Sequence, residues 1–551
     1  MKLCDYIYKR LEELGIGHVF CIPGESVQEL YRSLLKSNLK NVLLSHEVCC
    51  GYAADAYSRL MGLGAVLVSY GVGSLNMTNA VGQAYAESSP LIVISGGPSL
   101  SERKKYPLLH HKVRTFETQQ RVFAEITAMS IIIDSPLDAA NKLELAFQTA
   151  LQYKKPVYIE IPRDISQVEI HSLPLVTQDM SDLGMLKEAL DEVVALLNQA
   201  KKPVILAGVE AARLKLRKEV LDLIEKTGLP AANTLLDKSI LREDHPQSLG
   251  TFFGTLSNPR AARYLEEADL ILSIGVILSD INLGMFTFPI DRTKMIEARI
   301  DSLRVKHHSY PEVTLEMFLK GLLDHAGIKS REIRLDPPAL TFMCFQPEDK
   351  KISAGSLELI LNQFLNRQDA PSYRIVSDVG DCLFVGQALY ITKETAFLSP
   401  AYYLSMGFAV PGAIGAQIAD PKLRPIVLVG DGAFQMTGLE LISAHRLGLN
   451  PIIVLMNNGV YGTLKSVESD PIPNSYDIGN YDYTKLAQMT GGVGMVVETE
   501  SQFAQALAEC ENKYQNQIVL LDIRLAVDDI TSVLKTFGAM MGESNQKASQ
   551  G

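Results

Sequence analysis

The chain has no uninterrupted run of about 20 apolar residues, so no helix is expected to cross a membrane. It has no CxxC pair and no cysteine–histidine spacing of the zinc type. The seven cysteines are Cys4, Cys21, Cys49, Cys50, Cys344, Cys382 and Cys510, an odd count in which only Cys49 and Cys50 adjoin. Buried, reduced thiols in the cytosol are the expectation. Positive charge is not in excess. The net charge of −11 argues against nucleic-acid or anionic-membrane partners. The first residues, "MKLCDYIYKRLEELG", mix both charge signs at helical spacing and lack the apolar stretch of a signal peptide, so a cytoplasmic location is expected. "GVGSLN" (71–76) has GxG but no third glycine, and so lacks a Rossmann dinucleotide fingerprint. No short-period repeat of the solenoid kind is present.

What is present suits a soluble globular protein, with 47% apolar and 21% charged residues. At roughly 100–200 residues per domain, the 551 residues make about three domains. Short apolar strands alternate with amphipathic helices, the pattern of α/β layers with parallel sheets. The first block covers 1–165 and closes on "PVYIEIPRDI"; 166–184 reads as a loop. The second covers 184–335, with strands in "KPVILAG" (202–208) and "ADLILSIGV" (268–276). The proline-bearing stretch 334–351 lacks helical period and reads as a linker to a third block, 352–535. The polar end, 536–551, is expected to be flexible.

The third block holds "VGDG" (429–432), where a strand delivers Asp431 between Gly430 and Gly432. A helix is expected over 439–448, then a strand, "PIIVLM" (451–456), that delivers Asn457 and Asn458. A strand–helix–strand crossover makes these strands parallel, so Asp431 and Asn458 arrive at one sheet edge. A carboxylate, an amide oxygen and a backbone carbonyl are hard ligands suited to Mg²⁺, which takes its remaining ligands from water and a diphosphate. The aspartate would then hold the metal and not the phosphate. The glycines let backbone approach, and the helix start offers N–H donors. A lone Gly-Asp-Gly turn is common; "MNNG" one helix further on makes this pattern specific.

Together these motifs resemble the binding signature of thiamine-diphosphate (ThDP) enzymes, and the similarity extends over nearly the whole chain. The resemblance implies a pyrimidine-binding domain, a central domain and a diphosphate-binding domain, with ThDP held between two chains of a homodimer or homotetramer. In "LLSHEVCCGYAADAYSRLMG" (43–62), Glu47 matches the acid that activates the cofactor through its pyrimidine ring. In "YYLSMGFAVPGAIGA" (402–416), Met406 matches the residue that wedges between the cofactor rings, and the Leu404 carbonyl would receive the aminopyrimidine. "SDVGDCLF" (377–384) places Gly380 and Asp381 near the cofactor. The implied cofactor set also takes in Ala433, Val460 and Tyr461, and the implied metal set is Asp431, Asn458 and Val460. "YPLLHHKVRTF" (106–116) carries His110-His111, similar to the doublet of pyruvate, indolepyruvate and branched-chain 2-oxo acid decarboxylases.

Two positions depart from that subgroup. Glu25, in "IPGESVQEL", stands where an Asp is usual, and Leu464, in "NNGVYGTLK", stands where a Glu is usual. With Leu464 in place, Glu25, His110 and His111 remain for the proton work beside the activating Glu47, or the enamine meets a different fate. The implied reaction is non-oxidative decarboxylation of a 2-oxo acid to an aldehyde through a ThDP ylid and enamine. The apolar Leu464 points to medium, long or aromatic substrates. The alternatives are a carboligase of the acetolactate-synthase or benzoin-forming type, and a ThDP-binding protein without turnover.

Overall fold

The computed structural model describes residues 1–170, 183–289, 291–368, 370, 373–394, 396–468 and 472–550. Most of the expected loop 166–184 lies outside the described residues. Three sheets are present among the described residues. The first has the order β2-β1-β3-β4-β6-β5, built from β1 (His18–Ile22), β2 (Lys40–Leu43), β3 (Gly64–Val68), β4 (Leu91–Gly97), β5 (Met129–Ile132) and β6 (Val157–Pro162). All its pairings are parallel. Its central strands GAVLV and LIVISGG are buried at every position, which is why they read as continuous apolar runs and not as alternation.

The second sheet runs β13-β12-β11-β10-β7-β8-β9. It comprises β7 (Pro203–Ala207), β8 (Ala231–Thr234), β9 (Ser248–Phe252), β10 (Leu270–Ile274), β11 (Met295–Arg299), β12 (Ser302–Val305) and β13 (His308–Tyr310). Its edge departs from the all-parallel pattern, because β11, β12 and β13 pair antiparallel through short turns. The alternating burial of SLRV in β12 marks a sheet edge with one wet face.

The third sheet is parallel, with order β15-β14-β16-β17-β19-β18. Its strands are β14 (Tyr373–Ser377), β15 (Phe397–Leu398), β16 (Arg424–Gly430), β17 (Ile452–Asn457), β18 (Val493–Val497) and β19 (Val519–Arg524). Gly430 stands opposite Met456 in the β16–β17 register, so Asp431 and Asn458 leave the same edge.

The single helix expected over 439–448 is split. One helix starts on Asp431 itself (Asp431–Thr437), a 3-10 turn covers Gly438–Glu440, and a second helix runs Leu441–Arg446 before Gly448 turns the chain at φ 69°. The end expected to be flexible is helical: Ser532–Gln550 forms one helix whose Leu534 and Phe537 are buried. Gly538 and Gly542 lie against the Ser466 and Val467 carbonyls, which leaves no room there for a side chain.

The chain divides into two compact units, neither continuous in sequence. One takes Met1–Asp179 together with Val410–Lys422 and Leu439–Gly448. The reason is close packing on the helix Glu47–Met61: a Cβ on Gly415 would come within 1.9 Å of the Ala53 carbonyl oxygen. In addition, the Ser45 N–H and hydroxyl both donate to Glu440. The other unit takes the remaining residues, including the second and third sheets. All seven cysteines are free thiols, and of these Cys344 alone is exposed. Burial pushes the Cys21 and Cys510 thiols up to about 12.

Candidate active site

One cavity of ≈ 290 Å³ in the second unit brings together every cofactor and metal candidate read from the sequence. Gly380, Asp381, Leu404, Met406, Gly430, Asp431, Gly432, Ala433, Asn458, Val460 and Tyr461 all line it.

Asp431 sits at the first position of its helix, 2% exposed. Its Oδ1 accepts from the Gly432 N–H at 2.9 Å and its Oδ2 from the Gly459 N–H at 2.6 Å. The Asn458 side-chain oxygen accepts from the Val460 N–H at 3.2 Å, which turns it into the same loop. Burial pushes the Asp431 carboxyl up to about 6 against four backbone N–H groups that favour its charge. Space is shaped as the expected group requires. A Cβ on Gly432 would lie 2.5 Å from the Tyr461 ring, whereas one on Gly430 would meet nothing within 4 Å and faces open volume. A carboxylate, an amide oxygen and the Val460 carbonyl form a hard-oxygen set that fits Mg²⁺ carrying a diphosphate. Among the described residues, no group of three or more His, Cys, Asp or Glu is placed to hold a metal. A carbonyl-and-amide set with one acid does not need such a cluster.

Two loops flank this point. Gly380 has φ 79°, open to glycine at no steric cost. Asp381 lines the cavity and holds the last helix: Oδ1 accepts from the Thr531 hydroxyl at 2.5 Å and Oδ2 from the Thr531 N–H at 3.0 Å. Its carboxyl, raised to about 6 by burial, thus ties the loop to the start of the last helix. Leu404 has φ 61°, a left-handed conformation rare for a leucine, and such strain concentrates at functional sites. Asp378, which the sequence pattern did not single out, explains how the loops stay together. This fully buried acid accepts from Val379 N–H at 3.0 Å, Gly407 N–H at 3.1 Å and Ala409 N–H at 2.8 Å. Its only sequence signal is its place two residues before Gly380.

Leu464 lies on the short helix Gly462–Val467 and contributes to an apolar wall with Phe253, Ile281, Phe384, Leu534 and Phe537. No acid stands at that position.

The remaining candidates lie in the first unit. Glu25 and His110 meet, with Oε1 and Nε2 2.7 Å apart. The His110 and His111 rings stand edge to face at 4.6 Å, and His111 has φ 65°. Glu47 is not part of this trio. It opens the helix Glu47–Met61, where its charge suits the dipole, and its Oε2 accepts from the Asn76 amide at 3.0 Å. Asn76, also missed by the sequence reading, ends the short helix that "GVGSLN" forms. In the same unit, fully buried Glu160 accepts from Tyr158 and pairs with Arg103, and burial raises its carboxyl to about 7.

The comparisons with known proteins follow the same division. Residues 1–123 match the thiamine pyrophosphate enzyme N-terminal TPP binding domain, 190–325 the central domain and 378–523 the C-terminal TPP binding domain. The chain is 33% identical over 509 residues to the indole-3-pyruvate decarboxylase of Azospirillum brasilense, covering 92% of each. It is 29% identical over 564 residues to the pyruvate decarboxylase of Hanseniaspora uvarum, covering 99% of each. Against pyruvate decarboxylase isozyme 1 of Saccharomyces cerevisiae, identity is 28% over 567 residues, again with 99% of each covered. With full-length similarity joined to three matching domain models, the chain belongs to the family of thiamine-diphosphate-dependent 2-oxo acid decarboxylases.

Proposed function

We propose that the protein releases CO₂ from a medium or long aliphatic, or an aromatic, 2-oxo acid and yields the aldehyde. The convergence of Asp431, Asn458 and the cofactor-loop glycines on one cavity carries this reading. Asp431, Asn458 and the Val460 carbonyl would hold Mg²⁺ and, through it, the diphosphate. Gly380, Gly430, Gly432, Ala433 and Tyr461 would frame the diphosphate, with Leu404 and Met406 placed against the rings. Bound there, thiamine diphosphate supplies the electron sink for the bond pair that departing CO₂ leaves behind. Glu47 would accept a hydrogen bond from the pyrimidine edge and hold its proton, with Asn76 fixing the carboxylate. Glu25 and His110, in mutual contact, with His111 beside them, would hold the proton that the product carbon receives.

The substrate preference is supported by Leu464 and the apolar wall around it, formed by Phe253, Ile281, Phe384, Leu534 and Phe537. A kinetic panel tests it: kcat/KM for phenylpyruvate or 2-oxoisocaproate should exceed that for pyruvate, and the reverse order defeats the preference. The missing acid at 464 also favours a second reading, in which the activated carbon attacks another carbonyl before it is protonated. Product analysis by mass separates them, since that carboligase outcome gives a 2-hydroxy ketone in place of free aldehyde. The same proposal includes a homodimer or tetramer with sites shared between chains, and a cytoplasmic location in keeping with seven unpaired cysteines.

A further inference from the structure

One buried amide holds three backbone stretches that pack against the segments carrying Glu25, Glu47 and His111. Gln119 lies on the helix Thr118–Ala124 and is 2% exposed. Its Oε1 accepts from the Gly71 N–H at 2.8 Å and from the Ser74 hydroxyl at 2.6 Å. Its Nε2 donates to Glu160 Oε2 at 2.7 Å and to the Gly96 carbonyl at 3.4 Å. A primary amide offers two lone pairs and two N–H groups, so every capacity of this side chain is used. The partners also fix which way it points, since two donors face one end and two acceptors the other.

Three of these partners, Gly71, Ser74 and Gly96, lie on stretches that pack beside segments assigned to proton handling. Gly71 has φ 67°, and a Cβ there would stand 2.5 Å from the His111 carbonyl oxygen. Ser74 follows Gly73, where a Cβ would lie 3.4 Å from Glu47 Oε1, and precedes Asn76, whose amide holds Glu47. At Gly96 a Cβ would come 2.5 Å from the hydroxyl of Ser26, the neighbour of Glu25, and that hydroxyl also accepts from the Tyr70 N–H. The far end is anchored, because Glu160 is held by Arg103 and Tyr158.

We propose that Gln119 is a positioning residue that locks the segments bearing Glu25, Glu47 and His111 to one another and so sets the spacing of their proton-handling groups. The proposal rests on the reading of those groups given above. Gln119→Met keeps the length of the side chain but leaves the Gly71 N–H without its acceptor and Glu160 one donor short. Its kcat should fall about tenfold or more while KM for the 2-oxo acid moves less than about threefold, the split expected when proton handling and not ground-state binding is disturbed. In the cofactor-free protein, the ¹³Cε1-histidine NMR signals of His110 and His111 should shift. Gln120→Met is the control, since the Gln120 amide donates to the Ser130 carbonyl away from these loops, and both readings should stay at wild type. Wild-type kcat or unmoved histidine signals in Gln119→Met overturn the proposal. If that variant does not fold, Ser74→Ala removes one donor and should give the same two changes at smaller size; unchanged kcat there overturns it equally. Absence of turnover in the wild type would sink the decarboxylase reading, while the histidine signals would still report on the positioning role.

Discussion

Asp237, at the end of a 3-10 turn after β8, shows what burial does to a single acid here. Its carboxyl is pushed from an ordinary 3.8 up to about 7, with burial outweighing Arg213 and Arg217. The unfolded chain releases this proton near 3.8, so between there and about 7 the native state binds more protons. Native stability from this group is therefore greatest at low pH and declines as pH rises through that window. Asp237→Asn removes the titration. Between pH 5 and 8 the wild type should lose more melting temperature than the variant, and parallel profiles would refute the assignment. At this scale the sequence was legible where grammar is local. A strand, a Gly-Asp-Gly turn and a second strand ending in Asn-Asn lie within one crossover, and their geometry follows. Asp378 and Gln119 were not legible, because their meaning lies in partners remote in sequence: Gly407 and Ala409 for one, Gly71 and Glu160 for the other.

Among elements, the last helix is the one most at odds with its composition. "GESNQKASQG" is polar and reads as a loose end, yet Leu534 and Phe537 upstream bury into the core and carry the helix through. Its start is fixed from outside: Thr531 donates twice to Asp381, and its hydroxyl accepts from the Leu534 N–H at 3.2 Å. Thr531→Val deletes the hydroxyl links and leaves a buried carboxylate short of a donor. Hydrogen exchange of the helix amides should then report a loss of about 1–2 kcal/mol in local opening free energy. Protection unchanged from wild type would show that the contact carries no load. The split of the helix after β16 has a comparable cause. Asp431 accepts from the Gly432 N–H and starts a helix at once, while Gly438 and Glu440 form a tighter turn that hands the chain on.

For the molecule as a whole, the three α/β blocks were legible because both faces of each parallel core are covered, which forces continuous apolar strands. The antiparallel edge of the second sheet was not, since three short half-buried strands leave a weak pattern. Assembly is testable on the surface. Leu439 and Ile442, three positions apart, are 59% and 47% exposed, apolar side chains that a second chain could cover. Ile442→Glu should convert the proposed dimer to monomer in sedimentation equilibrium and abolish turnover. A dimer that survives the charge would place the interface elsewhere.

The discontinuous make-up of the N-terminal unit bears on how the protein is synthesised. The glycine that nests against Ala53 and the acid that grips Ser45 are both translated late, within Val410–Lys422 and Leu439–Gly448. The first sheet can form as it leaves the ribosome, but its companion helices do not yet exist. A nascent chain halted before Val410 would present the bare flank of the Glu47 helix to chaperones, and Glu47 would settle only after those later segments emerge.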